Sequence, residues 1–165
     1  MTRVQASVVV LLVLAAAFAG WGGWTYWQAG QPSDAEVARD DALRAGRSGV
    51  ATLTTLDYQT IDAGFARWLD VATGPLREEL SSAQDASKLQ IAKAKTVTTG
   101  TVLEAAVTEL DTSAGTARVI AAVEIMVKPE AGEQAAKRSR FQADLARTDA
   151  GWKLTGLAQV PYVPA

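Results

Sequence analysis

The sequence predicts an α+β chain with an N-terminal transmembrane helix, followed by about three helices packed on a curved, four-stranded antiparallel sheet. Three observations carry that prediction. Residues Ala6 to Trp27 contain no charged side chain. Residues 31 to about 93 place apolar groups at helical spacing. From Thr96 onward the pattern changes to threonine, valine and alternating polarity, cut by turn-forming clusters.

The uncharged stretch is long enough, at about 1.5 Å per residue, to cover the roughly 30 Å hydrocarbon core of a bilayer as a helix. Its last turns carry Trp21, Trp24, Tyr26 and Trp27, amphipathic aromatics that favour the headgroup interface. Gly20, Gly22 and Gly23 either loosen the exit from the bilayer or mark close helix packing. A second reading is a secretory signal, with an apolar run from Val8 to Ala16 and Ala17-Phe18-Ala19 before Gly20 as the cleavage site. The length and the aromatics beyond the cut favour a retained anchor. Arg3 and the terminal amine leave the short side in the cytoplasm, so the protein is expected as a single-pass membrane protein with its C-terminal domain extracytoplasmic. Residues 1–30 then form the anchor and exit segment, and 31–165 the external domain.

In that domain, Ser33 is the candidate cap of a first helix, with Asp34 and Glu36 in the first turn where the helix dipole favours negative charge. Val37, Leu43 and Val50 give it a narrow apolar stripe to about Leu53. Gly46 and Gly49 allow a close approach or a bend. Ile61, Phe65, Trp68 and Leu69 mark a second helix from Thr60 to Val71. Pro75 suits the first position of a third, continued by Leu76, Leu80, Ala83, Leu89 and Ala92 to about Lys93.

The predicted strands are Thr96 to Leu110, Thr116 to Lys128, Ala136 to Thr148 and Trp152 to Tyr162. Val119, Ala121, Val123, Ile125 and Val127 share one face of the second, opposite Arg118 and Glu124. In the third, Phe141, Ala143 and Leu145 alternate with Arg140, Gln142 and Asp144. One apolar and one wet face is how an antiparallel sheet reads when helices cover a single side. The meander is expected to curve around the second helix.

Composition removes whole classes of chemistry. The chain has no cysteine, so it forms no disulfide, and no histidine, the commonest general base and a leading zinc ligand. Carboxylates, tyrosine and lysine are what is left for catalysis, and neither a cofactor nor a metal site is expected. The formal net charge of −2 offers no electrostatic footprint for nucleic acid.

The order of a membrane span, an alanine- and arginine-rich helix ending in Leu53-Thr54-Thr55-Leu56-Asp57-Tyr58, then Ala72-Thr73-Gly74-Pro75-Leu76-Arg77-Glu78-Glu79, a threonine/valine strand and a closing Gly151-Trp152-Lys153-Leu154 resembles the actinobacterial Mce-associated membrane proteins. Pro75 directly after Gly74 departs from the family pattern, which has a bulky apolar or aromatic residue there. The resemblance implies an external domain of the nuclear transport factor 2-like, or cystatin-like, cone. It also implies a non-enzymatic accessory or assembly subunit of an Mce-type importer of lipids or sterols, with other subunits of that complex and the lipid bilayer as partners. Two alternatives share the layout. One is an extracytoplasmic carrier with a lipid or sterol ligand in the cone, and the other a subunit resembling a type IV secretion scaffold.

Individual residues are weighed within that frame. Tyr58, Phe65, Trp68, Phe141 and Trp152 are candidates for lining a hollow or for packing the core, because pocket walls and cores are both mostly apolar. Asp57-Tyr58 also resembles the acid–base pairs of cone-shaped steroid isomerases, by analogy of fold alone, against a capping aspartate beside a packed tyrosine. Asp62, Asp70, Glu78 and Glu79 fall at solvent-facing helical positions. Lys88, Lys93 and Lys95, with Lys137, Arg138 and Arg140, form either a patch for anionic headgroups or an acidic partner, or ordinary surface.

Overall fold

The computed structural model describes residues 33–161. The predicted span and its interfacial aromatics Trp21, Trp24, Tyr26 and Trp27 lie outside those residues, as does Tyr162. Among the described residues no helix is long and apolar enough to cross a membrane. The chain's contacts divide it at Val37, and everything from Ala38 onward forms one unit.

The first helix, α1 (Asp34–Leu53), opens with a reciprocal cap. The Ser33 amide donates to Glu36 Oε2 at 2.7 Å and the Glu36 amide to Ser33 Oγ at 3.3 Å, which satisfies two of the amides a helix start leaves unpaired. Its buried residues are small: Ala38, Ala42, Gly46 and Gly49, with Val50. The expected stripe shifts accordingly. Val50 is buried and Leu43 half-buried, but Val37 is 46% exposed. Large side chains are unnecessary on this face because the helix backbone lies close to the sheet. A Cβ on Gly46 would come within 2.9 Å of Val119 Cγ2, and one on Gly49 would collide with Leu154 Cδ1.

Beyond α1 lie a two-residue strand β1 (Leu56–Asp57), a 3-10 turn (Tyr58–Thr60), and α2 (Ile61–Val71). Helices α3 (Gly74–Ser82) and α4 (Gln84–Ala94) come next. The single third helix expected from Pro75 to Lys93 is therefore two. The break falls at Ala83 (φ −86°, ψ −2°), whose amide bonds Glu79 O. The Ser82 hydroxyl donates to that same carbonyl at 3.0 Å, the local competition by which serine disfavours helix interiors. The break resets the helical phase, so Leu89 is 65% exposed and Ala92 faces solvent.

The sheet has five strands, not four, in the order β1-β2-β3-β4-β5, all antiparallel neighbours. Its long members are β2 (Thr96–Asp111), β3 (Thr116–Pro129), β4 (Ala135–Thr148) and β5 (Gly151–Val160). The added strand arises where the link out of α1 crosses β2, pairing Leu56 with Thr98 and Asp57 with Val97. Register shifts at Val102/Glu104 and Val107/Glu109 in β2, and at Thr155 of β5 opposite Asp144/Leu145, are the bulges that bend a sheet. In the β2–β3 turn, Asp111 Oδ1 accepts from the Ser113 and Ala114 amides at 2.9 and 2.8 Å. Gly115 (φ +65°) supplies the left-handed residue the turn needs.

The predicted alternation is visible in burial. Val119, Ala121, Val123, Ala143, Leu145 and Leu154 are all 2% exposed or less. Each buried valine or leucine contributes about 1.5–3 kcal/mol relative to exposure. Ala42, Val50, Ala72 and Leu76 close this core. The core face of the sheet thus meets α1, through Ala42, Gly46, Gly49 and Val50, and Leu76 of α3, and not the second helix. Phe65 of α2 is equally buried (1% exposed) but packs with Trp68, at 4.9 Å between ring centroids. Ala72 makes an isolated parallel bridge to Leu154, and the Thr73 amide donates to Leu154 O at 2.8 Å. That fixes the chain where Gly74 (φ +53°) turns into α3.

Candidate functional site

The five aromatic candidates are distributed over four places. Phe65 and Trp68 form one helical cluster, and the Trp68 indole N–H donates to Thr52 O at 2.8 Å and Thr55 O at 3.2 Å. It thereby joins the Thr55 amide on the Thr52 carbonyl and supplies a donor to the Thr55 carbonyl just past the end of α1. Phe141 and Trp152 are partly buried against the main core. Their registers differ: Phe141 pairs with Gln159 and Trp152 with Arg147, six residues further along β4, about 20 Å at strand rise. No shared hollow follows from them.

Tyr58 lies in the fourth place, at a junction of helix, strand and hairpin. Its hydroxyl donates to Glu130 Oε1 at 3.2 Å and accepts from Gln59 Nε2 at 3.3 Å. Glu130 Oε2 also receives Lys95 Nζ at 2.7 Å. The hydrogen bond and charge of Lys95 hold the Glu130 carboxyl below its ordinary value, and Glu130 raises Lys95 in return. Lys95 itself is the left-handed residue (φ +46°) that ends α4, and its carbonyl accepts from the Glu130 amide at 2.9 Å. Asp57, the tyrosine's neighbour, accepts from the Gln59 amide at 2.8 Å and caps the 3-10 turn. The pair is therefore divided between a cap and a latch.

The face of the sheet away from the core is the largest open feature. Positions 118, 120, 122 and 124 alternate with the buried 117, 119, 121 and 123, so they share the outer side. A row of registered neighbours, Ala106, Ile120, Gln142 and Ala158, crosses β2 to β5 there. Ile120 is 36% exposed, and Leu103, at the β2 bulge, is 42% exposed. Charged pairs flank the row. Arg118 bridges Glu109 at 2.6 Å and Asp144 at 2.7 Å, and Arg138 meets Glu124 at 3.1 Å. Both carboxylates raise Arg118 above its ordinary value, with Asp144 the larger influence.

Two open grooves accompany the sheet. One of about 280 Å³ includes Leu103, Ala122, Arg138, Arg140 and Val160 in its lining. The other, of about 480 Å³, contains Arg118 with Glu109 and Asp144. Neither is lined by Tyr58, Phe65, Trp68, Phe141 or Trp152. The basic positions singled out in the sequence are largely engaged. Lys88 pairs with Asp62 at 2.5 Å and lies 5.8 Å from the Phe65 ring centroid, Lys95 pairs with Glu130, and Arg138 with Glu124.

Among the described residues no buried polar or charged side chain occurs, and no three acidic residues gather as metal ligands. The charged groups described here all lie at the surface. What the sheet offers chemically is a mostly apolar strip, interrupted by Gln142 and framed by charges.

The Arg118 cluster and the Lys95–Glu130 latch were not singled out from sequence. Glu109 opposite Arg118 follows from counting back across the Asp111-to-Gly115 turn, whereas Thr96 comes opposite Pro129 only through the two register shifts in β2, which a direct count does not show.

A family model described as "Uncharacterized protein Rv1363c/MT1408-like" matches residues 2–164. The chain belongs to that family. No curated protein matches it in sequence. In structure it resembles an IcmL-like type IV secretion system protein from Legionella pneumophila, at 16% identity and a TM-score of 0.62, over 82% of this chain and 98% of that one. The periplasmic domain of DotI matches at 11% identity and TM-score 0.62, over 80% and 98% of the two chains. CagV, a VirB8 homologue from Helicobacter pylori, matches at 8% identity and TM-score 0.59, over 75% and 99%. These likenesses establish the fold that the family member shares with them, α+β with helices packed on a curved antiparallel sheet.

Proposed function

We propose that this protein is a non-enzymatic, membrane-anchored scaffold subunit of a multi-protein complex in the cell envelope, with its folded domain outside the cytoplasmic membrane. The observation that carries the reading is the outer face of the sheet. Ile120 and Leu103 stand exposed there, in a strip framed by charged residues, the make-up of a surface with an apolar centre and a polar rim. The fold neighbours support a scaffold as well, being components and periplasmic domains of secretion systems by their descriptions.

The finer reading is an accessory subunit of an Mce-type lipid or sterol importer. It rests on the resemblance of the Leu53-to-Tyr58 and Ala72-to-Glu79 segments. A type IV secretion-like scaffold is the second reading, favoured by the structural likeness. A lipid carrier is the least supported of the three, because the aromatics expected to line a hollow lie in separate places.

Deletion of residues 1–30 tests the proposal in the native organism. The expected result is a folded domain and a sharp fall in the level of the assembled complex. Normal complex levels in that strain would refute an anchored scaffold.

A further inference from the structure

The two long strands at the end of the sheet are unequal. Strand β4 runs Ala135–Thr148, yet β5 pairs with it only from Arg140, opposite Val160, to Thr148. On its other side β4 is paired by β3 as far as Ala135, opposite Val127. Residues 135–139 are therefore held as a strand by one neighbour while their second edge is unpaired among the described residues. Residues 135–138 are exposed. Pro161, next after Val160, has no N–H to extend β5 along the vacant edge. The groove of about 280 Å³ lies at this step, with Arg138, Ser139 and Val160 in its wall.

We propose that this open edge of β4 receives an extended, acidic segment of a partner protein as an additional strand. Main-chain hydrogen bonds to a free sheet edge give such contacts their affinity, and the flanking side chains give them selectivity. The edge segment Ala135-Ala136-Lys137-Arg138-Ser139-Arg140 carries three cations and no acid, against one acidic neighbour on β3, Glu124 opposite Arg138. Lys137 and Arg138, being consecutive, project to opposite faces of the sheet, so an incoming strand meets a cation above and below. Arg138 keeps 77% of its side chain exposed while bridging Glu124 at 3.1 Å. A second copy of this chain fits the edge poorly, because pairing β4 with itself sets the same cations against each other, and like charges across strands destabilise a pair.

The inference rests on the reading that the domain works through protein contacts, but it is tested separately. Backbone hydrogen exchange would be followed on the full chain in detergent micelles. The probe is a capped octapeptide of alternating glutamate and valine, with its lysine–valine counterpart as control. The acidic peptide is expected to slow exchange at residues 135–139 by about tenfold at saturation, as the edge amides acquire partners. The lysine peptide should leave exchange unchanged, and the surface variant K137E/R138E, folded by circular dichroism, should lose the effect. Equal slowing by both peptides, equal slowing in the variant, or no slowing at millimolar acidic peptide would overturn the proposal. So would exchange that is already slow and accelerates when residues 162–165 are removed, since the chain would then cover its own edge. This measurement reads one edge and the deletion strain reads the whole function, so either can fail alone.

Discussion

Gly46 of α1 rests directly on Val119 of β3, and a Cβ at position 46 would lie 2.9 to 3.1 Å from three atoms of the valine side chain. Val119 is fully buried and sits in the middle of the sheet, paired with Val107 on one side and Ala143 on the other. The helix has no room to step back without opening the core. Gly46→Val is expected to cost about 1–3 kcal/mol by overpacking, although valine is the better helix former. Urea unfolding of the two proteins measures it, and an unchanged midpoint would show that α1 is free to shift.

Trp68 ties α2 to the end of α1 through its indole N–H. Trp68→Phe keeps an aromatic ring against Phe65 and removes the donor to the Thr55 carbonyl, while the Thr52 carbonyl retains the Thr55 amide. The expected loss is about 1–2 kcal/mol, again read by urea unfolding, with the sheet's circular dichroism signal retained.

The Lys95–Glu130 latch gives the stability a pH dependence of known sign. Glu130 titrates below its ordinary value of 4.5 in the folded chain. Its contribution is therefore present above that value and is lost as pH falls through the folded-state pKa. Lys95 is raised above 10.5, so its share is present below that value and disappears only as pH rises through the shifted one. Wild type should exceed Glu130→Gln in stability at neutral pH, with the gap closing below about pH 4 and in 1 M salt, where charges are screened within about 3 Å. A gap that persisted at pH 3 would assign the effect to something other than this ion pair.

On the outer sheet face, Ile120→Glu should leave stability within about 0.5 kcal/mol, as for other surface changes, since the side chain is already 36% exposed. The same substitution should reduce recovery of partner subunits several-fold in a pull-down. Undiminished recovery would move the contact elsewhere, to the span or to a strand edge.

Most of the sheet was legible because burial on one face writes a period of two into the sequence: the predicted Thr116 to Lys128 strand and the observed Thr116–Pro129 differ by one residue. The two-residue β1 was not legible, since Leu56–Asp57 is too short to show a period. A signal for it did exist at Gly100, whose amide donates to Thr55 Oγ1 at 3.0 Å and where a Cβ would collide with Thr54. An isolated strand glycine marks such close backbone approaches. The break at Ala83 was hidden because Leu89 and Ala92 continue the helical spacing of Leu76 and Leu80, though they belong to another helix. For the site residues, spacing along the chain could not separate Phe65 and Trp68 from Phe141 and Trp152, because which aromatics meet is settled by strand register and helix placement.

The most direct test of a scaffold role is cross-linking and affinity purification of the full-length protein from its native membrane, with mass spectrometry of both proteins and lipids. The expected result is reproducible recovery of other subunits of one envelope complex, with cross-links on the outer sheet face or the β4 edge. Bound lipid without any protein partner would contradict it and leave a carrier as the better explanation.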